Sequence, residues 1–165
     1  MPILLDLFSG SLSWSRAFSE LDWECISVDN DSKLPGTTIV CDMLKWKVPE
    51  RLRGVVDVVT IGTPCTAYSV ANKKKTEKAQ EMTRELWRRA FAIVDFVLKP
   101  GGVCVCENPS RTELTGIGSD PGDMERIRAG MYKVEVNYCR YSESDLIFPW
   151  KLTTLWSNRS QSTRL

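Results

Sequence analysis

The feature that most constrains the fold is a regular alternation of short apolar runs with amphipathic stretches. Two stretches, 12–21 and 83–98, carry apolar residues at helical spacing. The apolar runs that flank them are 3–7, 24–28, 38–41, 55–61 and 102–107. This rhythm predicts an α/β, Rossmann-like fold: a mostly parallel, twisted sheet with helices on both faces.

The character of the sequence changes after this region. Two β-like runs, 131–141 and 151–158, are joined by a polar connection that contains proline, and they predict a closing antiparallel strand pair. A chain of 165 residues has the usual size of a single domain. We therefore expect one catalytic domain over 1–158, followed by a frayed tail at 159–165.

Composition excludes several kinds of site. The chain has no histidine, so Ser-His-Asp triads, Cys-His dyads and histidine-ligated zinc sites are impossible. Its six cysteines include no Cys-x-x-Cys pair, which disfavours a structural zinc site, and we expect no metal. Since no signal peptide or membrane-spanning run is evident, the sequence predicts reduced thiols in an intracellular protein, cytoplasmic or nuclear, that is neither secreted nor bound to membranes.

The net charge of the chain neither favours nor disfavours nucleic-acid binding. The chain carries 22 Lys and Arg against 21 Asp and Glu, a net charge of +1. Any nucleic-acid binding must therefore come from a local basic patch. The one charge run is Lys73, Lys74 and Lys75, for which a solvated loop is an equally good interpretation.

Acidic residues follow three successive predicted strands, at the end of a parallel sheet where ligands bind. Asp29 stands at a spacing from Asp6 that suits a hydrogen bond to ribose hydroxyls. Asp42 can accept a hydrogen bond from an adenine amino group while Met43 packs on the ring. Gly10 lets the backbone approach a ligand closely. Solvated loop acids are the alternative, and a dinucleotide would also fit, although the residues after Gly10 do not satisfy G-x-G-x-x-G.

A nucleophile and a carboxyl group follow the next two predicted strands. Cys65 lies after the fourth and Glu107 at the end of the fifth. If these strands are neighbours, about 4.8 Å apart, both side chains can face one substrate and supply a nucleophile and a proton partner. The structural alternatives are a small buried hydrophobic residue for Cys65 and a surface acid for Glu107.

The segments DLFSG, VDND, VCD, TPCTAYS and ENP occur in one order along the chain. In order and approximate spacing they resemble the motifs of cytosine-5 DNA methyltransferases, whose patterns read DLFxGxGG, PPCQxFS and ENV. The resemblance covers residues 3 to about 140. It looks closest to short proteins of phages and large algal viruses, in which ENP is followed by a Tyr-Cys-x-Tyr segment, here 138–141, and a Thr-x-x-Trp-x-Asn ending, here 153–158.

The resemblance implies a SAM-dependent (S-adenosylmethionine-dependent) methyltransferase fold and a role for each matching residue. Cys65 would add to C6 of a cytosine in DNA while Glu107 holds and protonates N3, and Arg140 would contact the base or its phosphate. Lys73, Lys74 and Lys75 would lie in the active-site loop and contact phosphates. The residues implied in binding SAM are Asp6, Phe8, Ser9, Gly10, Asp29, Asn30, Asp42, Met43 and Pro64.

The chain departs from the family pattern in three respects. DLFxGxGG has become DLFSGSLSW, so that its second glycine is missing, and TPCT replaces PPCQ. We expect no target-recognition domain, which implies that the recognised sequence is short or that specificity comes from a partner protein or a second subunit of a homodimer. Three alternatives therefore stay open: an RNA cytosine-5 methyltransferase, a catalytically silent SAM-binding or partner protein, and, less favoured, amino-group methylation.

Overall fold

The computed structural model describes residues 1–67, 76–109, 131–137 and 152–160. Within these residues seven strands form one sheet in the order β3-β2-β1-β4-β5-β7-β6. The strands are β1 (Ile3–Leu7), β2 (Glu24–Asp29), β3 (Ile39–Val40), β4 (Val56–Ile61), β5 (Leu98–Pro109), β6 (Tyr132–Asn137) and β7 (Leu152–Ser157). The α-helices are α1 (Ser13–Ser19) and α2 (Glu77–Val97), and a short 3₁₀ helix spans Glu50–Leu52. This is the predicted mixed α/β fold with a mostly parallel sheet.

Strand β1 lies in the interior of the sheet, and its alternating side chains show where the two helices pack. It pairs in parallel with β2 on one side and β4 on the other. Leu5 and Leu7 face the core that α2 covers. Asp6 faces the opposite way and accepts a hydrogen bond from Ser15 of α1. Since successive residues of a strand point to opposite faces, α1 and α2 cover opposite faces of the sheet, as predicted.

The C-terminal strands form the predicted antiparallel pair, but β7 inserts between β5 and β6. It is antiparallel to both neighbours, so β6 runs in the same direction as the parallel strands. Asn158, just after β7, extends the pairing with β5: its side chain accepts from Cys104 N at 2.9 Å and donates to Gly102 O at 3.1 Å. The described part of the tail is also anchored, because Arg159 donates to Gly101 O.

Helix α2 begins at Glu77 rather than near Thr83. The Thr76 hydroxyl caps it by accepting from Ala79 N at 3.2 Å. The first turns carry Glu, Lys and Gln, so the apolar periodicity that predicts the rest of the helix is absent there. No helix in the described part of the chain has both the length and the apolar character needed to cross a membrane.

Candidate active site

Two neighbouring cavities lie at the carboxyl ends of the parallel strands. The larger, about 350 Å³, is lined by the carboxyl-terminal parts of β1 and β5 and by the segments that follow β1 and β4. The smaller, about 250 Å³, lies among those that follow β1, β2 and β3. Four residues line both cavities and are called the shared wall: Phe8, Gly10, Gly62 and Pro64. A ligand in one cavity therefore lies next to a ligand in the other.

The segment after β1 has an unusual backbone. Phe8, Gly10 and Leu12 have φ values of 59°, 49° and 62°. These values lie in the left-handed region, which residues other than glycine rarely adopt. Backbone hydrogen bonds hold this segment: Phe8 N and Ser9 N donate to Val28 O at 2.9 and 3.2 Å. Non-glycine residues in this region persist where the surroundings impose them, and they cluster at ligand sites.

Asp29 joins this segment to the end of β2. Its Oδ2 accepts from Gly10 N at 2.9 Å and its Oδ1 from Asp31 N at 3.0 Å. Asp29 and the exposed Asn30 both line the smaller cavity. The predicted acid after β2 is thus at the cavity, where it also orients the loop after β1.

The segment after β3 also lines the smaller cavity. Asp42 closes a turn by accepting from Leu44 N at 3.0 Å, and its other oxygen lies 3.4 Å from Lys45 Nζ. Met43 is buried in the core and lines the cavity beside Cys41. Burial raises the pKa of the Cys41 thiol, and the neighbouring Asp42 carboxylate adds to the increase.

Asp6 lines the larger cavity and not the smaller one. Its two carboxylate oxygens accept hydrogen bonds from Thr60 Oγ1 at 2.8 Å and Ser15 Oγ at 2.7 Å. Burial raises the pKa of Asp6, against the opposing effect of these two hydroxyl donors. The carboxyl group therefore ties β1 to β4 and α1, and its predicted contact with a cofactor stays a prediction.

Cys65 and Glu107 line the same larger cavity, and each is half-buried. The pairing of β4 with β5 extends to Ile61 opposite Cys106, so Glu107 lies one residue beyond this pairing, within β5, and Cys65 lies four residues beyond it, in the segment after β4. The two side chains that the sequence predicts as nucleophile and proton partner are thus brought to one cavity. Pro64 of the shared wall precedes Cys65, and Ser9 lines the same cavity.

Arg140 and Lys73 to Lys75 lie outside the described residues, so their assigned roles stay predictions. Several lining residues have no predicted role, among them Trp14, Thr63 and Asn108 at the larger cavity and Leu86 of α2 at the smaller. Leu86 shares the helical spacing of the core residues, and that pattern does not distinguish a core position from a cavity wall. The described residues contain no group of three or more cysteine or carboxylate side chains able to hold a metal ion.

Comparison with known proteins gives likeness in structure but not in sequence. No protein-family model matches the chain, and no curated protein sequence matches it. The PH0226 protein from Pyrococcus horikoshii OT3 is 14% identical, with 95% of this chain and 82% of that chain covered and a TM-score of 0.53. DhpI, in a complex with SAM and HEP, is 14% identical, with 94% and 78% covered and a TM-score of 0.48. At this identity the likeness to PH0226 shows a shared fold alone.

Proposed function

We propose that the chain is a SAM-dependent methyltransferase that transfers a methyl group to C5 of cytosine in DNA through a covalent adduct with Cys65. One observation carries the proposal: the cavity that holds Cys65 and Glu107 shares a wall with a second cavity that Asp29 and Asp42 line. A nucleophile, a proton partner and a separate cofactor site are the parts that this reaction needs.

The smaller cavity suits the adenosine part of SAM. Asp29 has lone pairs beyond those that accept from Gly10 N and Asp31 N, and these can accept from ribose hydroxyls. Met43 and Leu86 offer apolar surface to an adenine ring. At about 250 Å³ the cavity is smaller than most ligand pockets, which measure roughly 300–1,000 Å³, so the rest of SAM would extend past the shared wall. When bound, SAM supplies the methyl group that C5 takes up.

In the larger cavity, Cys65 Sγ would form a bond to C6 of the base while Glu107 holds N3 and delivers a proton to it. Protonation at N3 draws electrons toward that nitrogen, so that C6 accepts the thiolate and C5 becomes nucleophilic. After methylation C5 would give its proton to a water molecule, the bond from C6 to sulfur would break with the electron pair returning to Cys65 Sγ, and N3 would return its proton to Glu107, so that the ring regains aromaticity. Since C6 is inaccessible in a base stack, the cytosine must be flipped out of a duplex or lie in a single strand.

DNA as the partner belongs to the same proposal. Lys73 to Lys75 would contact phosphates, Arg140 would contact the base or its phosphate, and a second subunit or another protein would add sequence specificity. A second candidate function is a silent SAM-binding protein with the same cavities. It is favoured by Leu12, which occupies a left-handed backbone position where the family pattern has glycine.

The deciding experiment traps the adduct. The protein is incubated with SAM and an oligodeoxynucleotide containing 5-fluorocytosine, whose fluorine blocks the final elimination, and intact-mass spectrometry detects the complex. Wild type is expected to form it, Cys65→Ser to form none, and Glu107→Gln to form it at least about a hundredfold more slowly. Cys25→Ser is the matched control, because Cys25 is half-buried but lines neither cavity.

An adduct that survives in Cys65→Ser would contradict the assigned nucleophile. A parallel oligoribonucleotide decides the polymer: trapping on RNA alone would establish the RNA enzyme. If wild type binds SAM but traps neither polymer, the silent binding protein becomes the better description.

A further inference from the structure

A side-chain hydrogen bond lies where strands β4 and β5 stop pairing. Asn108 Nδ2 donates to Thr63 Oγ1 at 3.4 Å. The last paired residues are Ile61 and Cys106, and continuing that register by two residues would place Thr63 opposite Asn108. The side chains thus connect the two segments at the level where the backbone ladder has ended.

Both partners are buried: Thr63 is 4% exposed and Asn108 is 2% exposed. A hydrogen bond that water cannot reach is electrostatically stronger than one at the surface, and an unmade one is more costly. Asn108 Oδ1 has no hydrogen-bond partner within the described part of the chain. The orientation of the Asn108 amide therefore depends on the Thr63 hydroxyl, which can either accept from the amide nitrogen or donate to the amide oxygen.

The position of this bond relates it to the two reacting groups. Cys65 follows Thr63 by two residues, and Glu107 immediately precedes Asn108. In the motif that this segment resembles, proline stands in place of Thr63, and a proline ring fixes φ. Threonine has no ring, but its buried hydroxyl supplies a link between the two segments that proline cannot make.

We propose that Thr63 is a positioning residue: through Asn108 it holds the loop that carries Cys65 against the strand end that carries Glu107. The effect of this positioning on the rate of addition to C6 rests on the proposed function. A bond that merely satisfies two buried polar groups would affect stability, whereas a positioning bond also affects the local opening of the loop and the rate of addition to C6. Displacements of about 1 Å can cost on the order of a hundredfold in rate.

The test compares Thr63→Val, which removes the hydroxyl at nearly constant shape, with Thr63→Ser, which restores it. Two quantities are measured: amide hydrogen exchange of residues 62–66 and the single-turnover rate of adduct formation on 5-fluorocytosine DNA. Thr63→Val is expected to raise the exchange rate about threefold or more and to lower the adduct rate about tenfold to a hundredfold. The Kd values for SAM and DNA are expected to stay within about twofold of wild type, and Thr63→Ser to restore both rates.

Thr83→Val is the matched control. Thr83 is also 4% exposed, and its hydroxyl donates to Ala79 O at 3.1 Å within α2. The Thr83→Val variant therefore loses a comparable hydrogen bond at a different place in the fold. Unchanged exchange in Thr63→Val, or equal effects of Thr63→Val and Thr83→Val, would overturn the inference. Failure of wild type to trap any adduct would overturn the proposed function instead, and the exchange of residues 62–66 would then decide the positioning role alone.

Discussion

At the scale of single residues, Leu12 is the clearest conflict between local preference and the fold. Its φ is 62°, a conformation that costs an L-residue about 1–2 kcal/mol but costs glycine little. The side chain is buried at 8% exposure and lies close to Gly36. Burial of a leucine contributes about 1.5–3 kcal/mol, which is enough to offset the backbone strain at this position.

Leu12→Gly and Leu12→Ala should therefore rank in the reverse of the usual order. Both variants lose the buried side chain and should be less stable than wild type. Leu12→Gly should be more stable than Leu12→Ala by about 1 kcal/mol, because alanine keeps the left-handed strain and glycine does not. Urea denaturation measures both free energies of unfolding. Equal or greater stability of Leu12→Ala would show that the strain is absent in solution.

At the scale of elements, two aspartates join the central strands at opposite ends. Asp6, near the carboxyl end of β1, is buried, and burial raises its pKa. Asp57, near the start of β4, accepts from Lys99 of β5 and from Ile3 N of β1. The Lys99 ammonium group lowers the pKa of Asp57 more than the other neighbours do. The two carboxyl groups should therefore affect stability with opposite dependence on pH.

The Asp6→Asn and Asp57→Asn variants test this. A raised pKa in the folded state means that the unfolded chain releases its proton first, so the contribution of Asp6 to the free energy of unfolding falls as pH rises above about 4. The stability of Asp6→Asn relative to wild type should improve over that range. A lowered pKa stabilises the fold above the ordinary value, so the penalty of Asp57→Asn should be constant from pH 5 to 7 and shrink below about pH 4.

Urea denaturation at a series of pH values measures both differences in the free energy of unfolding. Comparing each variant with wild type at the same pH removes the contribution of the other titrating groups. Parallel pH profiles for Asp6→Asn and wild type would contradict the burial of an ionisable carboxyl at this position.

At the scale of the whole molecule, the proposed binding of SAM should stabilise the fold. A ligand at a hundredfold over its Kd adds about 2.7 kcal/mol, which corresponds to a rise in Tm of roughly 5–11 °C for a chain of this size. Asp29→Asn keeps an acceptor for Gly10 N but loses the charge, so its rise should be smaller. Asp31→Asn is the matched control, because Asp31 is exposed and lines neither cavity.

Differential scanning calorimetry at several SAM concentrations makes this measurement. A wild-type Tm that does not change with SAM would contradict cofactor binding. An equal rise in wild type and Asp29→Asn would remove Asp29 from the cofactor site while leaving the cavity in place.

Local pattern was sufficient to predict most elements and the grouping of several candidate residues. The run at 3–7 is the observed β1 because its apolar residues are buried between two layers. Cys65 and Glu107 reach one cavity, and Asp29 and Asp42 another, because the carboxyl ends of parallel strands lie at one edge of a sheet. These outcomes need only strand assignment and the right-handed connection rule.

Tertiary structure decided what depends on contacts between distant residues. The insertion of β7 between β5 and β6 rests on pairing across the chain, and no local apolar pattern encodes a partner. Asp6 faces Ser15 and Thr60 rather than the smaller cavity, and Leu86 lines a cavity, because a side chain's neighbours are set by packing of the elements. The sequence alone therefore determined which residues stand at the strand ends, and packing determined which cavity or hydrogen-bond partner each of them meets.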